Sequence, residues 1–256
     1  MLIFAGFFVG LIVGATGVGG GALMTPILLL IFGIAPVAAI GTDLWFAGVT
    51  KLAAGKIHHQ KDLIDWTVVK LLWIGSLPSS VAVLLLMRLG FFQIDVTFLN
   101  HAIGVAILIT VAGLIFHSAL QRIGRSLRLQ NEAHFKRWQP MLTIAAGALL
   151  GFLVTLTSVG AGAIGAVLLT YLYPLRLTPV RLIATDIVHA IPLALFAGTG
   201  HLLMGNVDFP LLGWLLLGSI PGVIIGAKFS TVLPQMVLRC LLAAVLTASA
   251  AKLLLS

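Results

Sequence analysis

The chain is written twice. Residues 36–80 reappear as residues 179–223 at an offset of 143, and 15 of the 45 paired positions are identical. The matches include Pro36 with Pro179, Thr42 and Asp43 with Thr185 and Asp186, His58 with His201, Asp65 with Asp208, and Gly75, Ser76 and Pro78 with Gly218, Ser219 and Pro221. Upstream, with two residues inserted in the second copy, GATGVGGGAL (14–23) lies over TLTSVGAGAI (155–164). A duplicated apolar chain interrupted by glycine at matching points is the pattern of secondary transporters.

Composition then sets the solvent. A mean hydropathy of +1.17, with 60% hydrophobic and 9% charged residues, leaves too little polar surface for a globule in water, so an integral membrane protein is expected. The net charge of +8 is read as belonging to short loops that orient the helices against the membrane, and nucleic acid is not expected as a partner. The start, MLIFAGFFVG, lacks a basic region and a small-residue cleavage site, so it is expected to stay in the mature protein. Cys240 stands alone and forms neither an internal disulfide nor a cysteine metal site.

Stretches of about 20 apolar residues cross a bilayer, and they occur near 36–55, 66–88, 98–117, 178–198, 210–232 and 235–255. Two further apolar regions, 1–33 and 141–173, are too long for one crossing and too short for two, and each is broken centrally, at Thr16–Gly21 and Thr157–Gly162. Each fits either one discontinuous helix or two half-helices in a V that leaves on the side it entered. Charge favours the V. The connector Ser118–Pro140 carries Arg122, Arg125, Arg128, Lys136 and Arg137 against Glu132 and is read as cytoplasmic. The inverted arrangement then puts 13 of 15 basic residues inside, against 10 of 15 for parallel copies. The expectation is an all-α integral membrane protein with an inverted repeat, each half a re-entrant V plus three transmembrane helices. Its parts are a first repeat (1–117), a basic connector (118–140) and a second repeat (141–256), with both termini outside the cytoplasm.

A V of this kind ends in a tip from which a half-helix starts, aiming free N–H groups and a positive dipole end into the protein. That suits a small anion. The candidate binding residues are Thr16, Gly17, Gly19, Gly20 and Gly21 in the first tip, and Thr157, Ser158, Gly160 and Gly162 in the second. Glycine admits close backbone approach, and the hydroxyls add donors. Asp43 lies about 10 Å along its helix, and Asp186 is its repeat mate. Each reads either as a structural hydrogen-bonding group or as a carrier of protons across the membrane. A charged carboxylate repels a bound anion, so anion binding favours the protonated acid, and the two fluxes are linked. Lys51 and His189 break the symmetry, their counterparts being Ala194 and Phe46. Lys51 reads either as an anion attractor or as a snorkelling residue. His189, three residues after Asp186, is placed to pair with it. Pro78 and Pro221 are candidate hinges. Asp65 and Asp208 read as N-caps of the spans they precede. His58 and His59 read as solvated loop residues, and no metal site or cofactor is expected.

The segments GATGVGGGALMTP, AGKIHH, GSLPSS, TSVGAG, LTPVRLIATD, AGTGHLLMGNVDF and GSIPGVIIGA, in this order and duplicated, resemble the TauE/SafE sulfite exporter family over roughly residues 5–250. The resemblance implies a multi-pass protein of the cell inner membrane that moves sulfite, a sulfonate or a similar anion, coupled to protons, by alternating access. The partners are then a small anionic substrate, protons and membrane lipid, with homo-oligomer assembly left open. Two other classes fit parts of the pattern. A passive anion channel uses the same tips to line a pore. A membrane-embedded enzyme on lipid phosphate needs a nucleophile or base that is hard to assemble here, since the sole glutamate is Glu132, so no enzyme is expected.

Overall fold

A computed structural model describes residues 1–16, 21–59, 63–90, 95–130, 132–229 and 235–255. Among these residues the structure is all-helical. The elements are α1 (Leu2–Thr16), α2 (Gly21–Leu30), α3 (Pro36–His59), α4 (Trp66–Arg88), α5 (Val96–Gln130), α6 (Glu132–Thr157), α7 (Ala163–Leu172), α8 (Pro179–Leu203), α9 (Phe209–Phe229) and α10 (Gln235–Leu255). Five segments, α4, Val96–Phe116 of α5, Phe135–Thr157 of α6, α8 and Phe209–Lys228 of α9, are long and apolar enough to cross a membrane. Phe4, Phe8, Leu85, Phe116 and Leu217 lie exposed on the outer surface, as contact with lipid requires.

The six stretches expected to cross coincide with α3, α4, α5, α8, α9 and α10, of which α4, α5, α8 and α9 are among these five, whereas the segment in α6 is the one expected as an arm of a V; chain chemistry explains the helix ends. Thr178 caps α8 by accepting from Arg181 N–H, with Pro179 in the first turn. Asp65 and Asp208 do cap α4 and α9, accepting from Val68 N–H at 3.3 Å and Leu211 N–H at 2.9 Å.

Three expectations change. The connector 118–140 is helical on both sides of residue 131, because its Leu, Arg, Gln, Ala and Lys residues are strong helix formers. For the same reason α6 starts at Glu132 and runs 26 residues, so the arm before the second tip is not a half-helix. Of the two arms of the second V, only α7, with 10 residues, is that short. Finally, α3 extends to His59, which puts His58 and His59 on its last turn instead of in a loop; their side chains lie outside the described residues.

Packing is exchanged between the copies. Helix α1 lies against α9, and α6 against α4. Both contacts are close because glycine lines them: a methyl group at Gly6, Gly10 or Gly14 would strike the backbone of Leu215, Ser219 or Val223, and one at Gly147 or Gly151 that of Leu72 or Ser76. Moved by the repeat offsets, Gly6–Leu215 becomes Gly147–Leu72, and Gly10–Ser219 becomes Gly151–Ser76. Within each pair the contacts advance together along both chains, so α1 runs parallel to α9 and α6 to α4. The repeat mates α3 and α8 also pack on each other, Gly41 facing His201, Gly198 facing Trp45 and Gly48 facing Leu195. There one number falls as the other rises, so α3 and α8 are antiparallel.

Candidate functional site

The crossing of α3 and α8 buries the charges that the repeat singled out. Asp43, Lys51, Asp186 and His189 are each at most 1% exposed. The Thr before each Asp explains how the two are aimed. Thr185 Oγ1 accepts from Asp65 N–H at 3.1 Å and Thr42 Oγ1 from Asp208 N–H at 3.0 Å. Each Thr thus ties its helix to the start of a span in the other copy, and the adjacent Asp turns to the centre.

Asp43 Oδ2 accepts from Thr25 Oγ1 of α2 and from Ser158 Oγ at 3.0 Å, whereas Oδ1 has no hydrogen-bond partner among the described residues. Neither oxygen of Asp186 has one. Its Oδ1 instead lies where a side chain at Gly165, in the first turn of α7, would sit. Both carboxyls therefore address the N-terminal halves of the short helices that follow the tips, where backbone dipoles favour negative charge. Lys51, about two turns beyond Asp43, is turned inward: its Nζ donates to the Ala161 carbonyl at 3.0 Å. Its charge acts on Asp43, Asp186 and His189. Snorkelling is thereby replaced by an internal role.

The second tip is strapped along α3, by Ser158 to Asp43 and by Ala161 to Lys51. Its backbone is irregular, with φ of 58° at Ser158, 126° at Gly160 and 123° at Gly162. Glycine adopts such angles freely, and serine at a left-handed position costs about 1–2 kcal/mol. The first copy has Gly17 where the second has Ser158, so that cost accompanies the hydroxyl that reaches Asp43. The Thr157 hydroxyl serves the backbone, donating to Leu153 O at 2.6 Å and accepting from Val159 N–H at 3.1 Å. In this state the hydroxyls of Thr157 and Ser158 are committed to the protein. Gly162 caps α7 with no side-chain hydrogen bond to its first turn.

Of the first tip, Thr16 ends α1 and Gly21 begins α2; Gly17, Gly19 and Gly20 lie outside the described residues. His189 does not pair with Asp186: its Nε2 shares a hydrogen bond with Ser76 Oγ at 3.0 Å, and Nδ1 has no partner among the described residues. Ser219, the mate of Ser76, bonds Thr50 Oγ1 at 3.0 Å. Pro78 and Pro221 lie inside α4 and α9. Sequence reasoning missed Thr25, Ser76 and Ser219 as partners of the centre. The two serines carried a signal, being repeated in Gly-Ser-x-Pro, whereas Thr25 had none, since Ala166 stands opposite it.

Charged side chains sealed between apolar helices, one from each copy of a duplicated bundle, define a class: multi-pass membrane proteins that handle ions or polar solutes inside the bilayer. Residues 2–253 match the family described as sulfite exporter TauE/SafE, and the chain belongs to it. It is 37% identical over 262 residues to the probable membrane transporter protein YjnA of Bacillus subtilis (strain 168), across 99% of this chain and 98% of that relative. It is 28% identical over 246 residues to the probable membrane transporter protein YdhB of the same organism, across 93% of each. No solved structure matches it. The protein is a membrane transporter.

Proposed function

We propose that the protein carries a small sulfur oxyanion, sulfite or a related sulfonate, across the cell inner membrane together with protons, by alternating access. The observation that carries this reading is the buried set Asp43, Lys51 and Asp186 at the crossing of the copies. Two carboxylates and one ammonium leave the centre with an excess negative charge. In low dielectric a further anion is tolerated only if another negative charge is removed. A proton taken up by Asp43 or Asp186 does this, so anion and proton load together. Lys51 supplies attraction, and the N-terminal ends of α2 and α7 supply N–H donors once the tips release the carboxyls. His189, held by Ser76, belongs to the same charged neighbourhood and relays or senses the proton.

The copies are inverted in this account. The antiparallel run of α3 and α8 supports it, because copies related by an axis along the membrane normal would have parallel mates. A re-entrant second V is supported by two contacts, Gln139 Nε2 donating to Leu172 O at 2.6 Å and Thr143 Oγ1 bonding the Tyr173 hydroxyl at 2.8 Å, which bring the end of α7 back beside the first half of α6. Both termini then lie on the extracytoplasmic face. Alternating access rocks the exchanged pairs α1–α9 and α4–α6 about α3 and α8. Pro78 and Pro221, which cannot donate to the carbonyls of Ile74 and Leu217, are the flexible points.

Reconstituted vesicles test the function. The expected result is saturable flux of sulfite, driven by an acid-side pH gradient, with other anions compared under the same gradient. Non-saturating conductance at ion-channel rates would replace the carrier with a pore, and flux that ignores pH would remove the coupling.

A further inference from the structure

A second group of polar side chains stands apart from the buried centre. Between the start of α6 and the turn from α7 to α8 is a crevice of about 260 Å³ lined by Phe135, Lys136, Gln139, Tyr173 and Arg176 among others. Lys136 is exposed and has no ion-pair partner among the described residues. Arg176 is half exposed and pairs with Asp65 through Nε to Oδ2 at 2.7 Å and Nη2 to Oδ1 at 2.8 Å. The rest of its five N–H donors remain for another acceptor, and its guanidinium lies 5.9 Å from the Tyr173 ring centroid, which holds it over the crevice.

The corresponding turn of the other copy lacks such a charge. It reads Ile31, Phe32, Gly33, Ile34 and Ala35, with no basic residue, and the two residues that the second copy gains lie in the stretch carrying Arg176. The charge of this mouth is therefore a feature of one end of the pseudosymmetric molecule.

We propose that this crevice is a docking site for a small oxyanion, held by Lys136 and Arg176, from which the carrier is loaded on the connector side. The proposal rests on the reading of the protein as an anion carrier. Two cations lining one crevice match an oxyanion, and the planar guanidinium suits paired oxygens. Arg176 also links the crevice to the centre. It holds Asp65, whose N–H bonds Thr185, and Thr185 precedes Asp186. An anion in the crevice competes with Asp65 for Arg176 and so acts on the strap that aims Asp186.

Calorimetric titration of sulfite into the purified full chain in detergent, for the wild type, Lys136→Gln, Arg176→Gln and the Asp43→Asn/Asp186→Asn double variant, tests the site without any need for transport. Lys136→Gln, an exposed position that leaves folding intact, is expected to weaken one binding event about tenfold, the scale of a lost charged hydrogen bond. The double carboxylate variant is expected to retain that event. In vesicles, Lys136→Gln should raise the sulfite concentration for half-maximal flux from the connector side by a similar factor, with the opposite side unchanged. Unaltered binding and unaltered half-saturation in Lys136→Gln overturn the proposal. So does retention of sulfite binding alongside loss of phosphatidylglycerol adducts in native mass spectrometry, which assigns the crevice to a lipid headgroup. Absence of flux with the crevice event intact counts against the carrier reading alone.

Discussion

Asparagine at both Asp43 and Asp186 is expected to leave sulfite binding in place and abolish the acceleration of flux by acid. The wild-type acceleration approaches tenfold per pH unit when one bound proton limits the cycle. Charge balance is the reason: Asn keeps the volume and polarity of Asp, so Thr25 and Ser158 keep a partner, but it cannot alternate between charged and neutral forms. With both carboxylates gone, Lys51 faces the anion directly, and loading no longer requires a proton. Single variants divide the roles. Asp186, whose oxygens lack hydrogen-bond partners among the described residues, is the freer of the two to exchange a proton, so Asp186→Asn should flatten the profile more than Asp43→Asn. Sulfite is itself a weak base, so each variant is compared with the wild type at the same pH. A double variant with the wild-type pH profile rejects proton carriage by this pair.

Leucine at Gly75 should prevent folding. A Cβ placed there meets the Ile144 carbonyl oxygen and lies 2.7 Å from Ala148 N. Both are backbone atoms of α6 and cannot swing aside as a side-chain tip would. The α4–α6 pair would have to separate along its length, with a loss beyond about 4 kcal/mol, the range reserved for severe core disruption. Even alanine should lower the melting temperature markedly. Gly213 in α9 is the control, because a Cβ there meets nothing within 4 Å. Gly213→Ala should be neutral or stabilising by roughly 0.5–1 kcal/mol through helix propensity. Thermal unfolding followed by fluorescence in detergent reads both; equal melting points for the two alanine variants would contradict the close crossing.

Much of this was legible because the chain states it twice. The repeat located α3, α4, α8 and α9 within a few residues, and rare charges in apolar helices marked Asp43 and Asp186. Partnership between copies was not legible. Nothing local tells Gly10 that its neighbour is Ser219, although Gly6, Gly10 and Gly14, and Gly218, Gly222 and Gly226, already formed close-packing stripes. Lys51 was ambiguous for a geometric reason: a helix read as ending near residue 55 puts it close to the headgroups, whereas one that continues to His59 leaves it inside, within reach of Ala161. The pairing of His189 with Asp186 assumed that helical neighbours choose each other. A hydroxyl on α4, Ser76, was closer to hand. Pattern alone also missed the long α6, since a charged connector and a helix are not exclusive when the charges are Arg and Lys.

Proton-coupled carriage by this route requires the transported anion to sit at the buried centre. Selenite, a heavier analogue of sulfite, soaked into the protein and located by its scattering is expected between Asp43, Lys51 and Asp186, against the N-terminal turn of α7. Density confined to the membrane-facing surface, or a centre that stays empty while flux saturates, would contradict it.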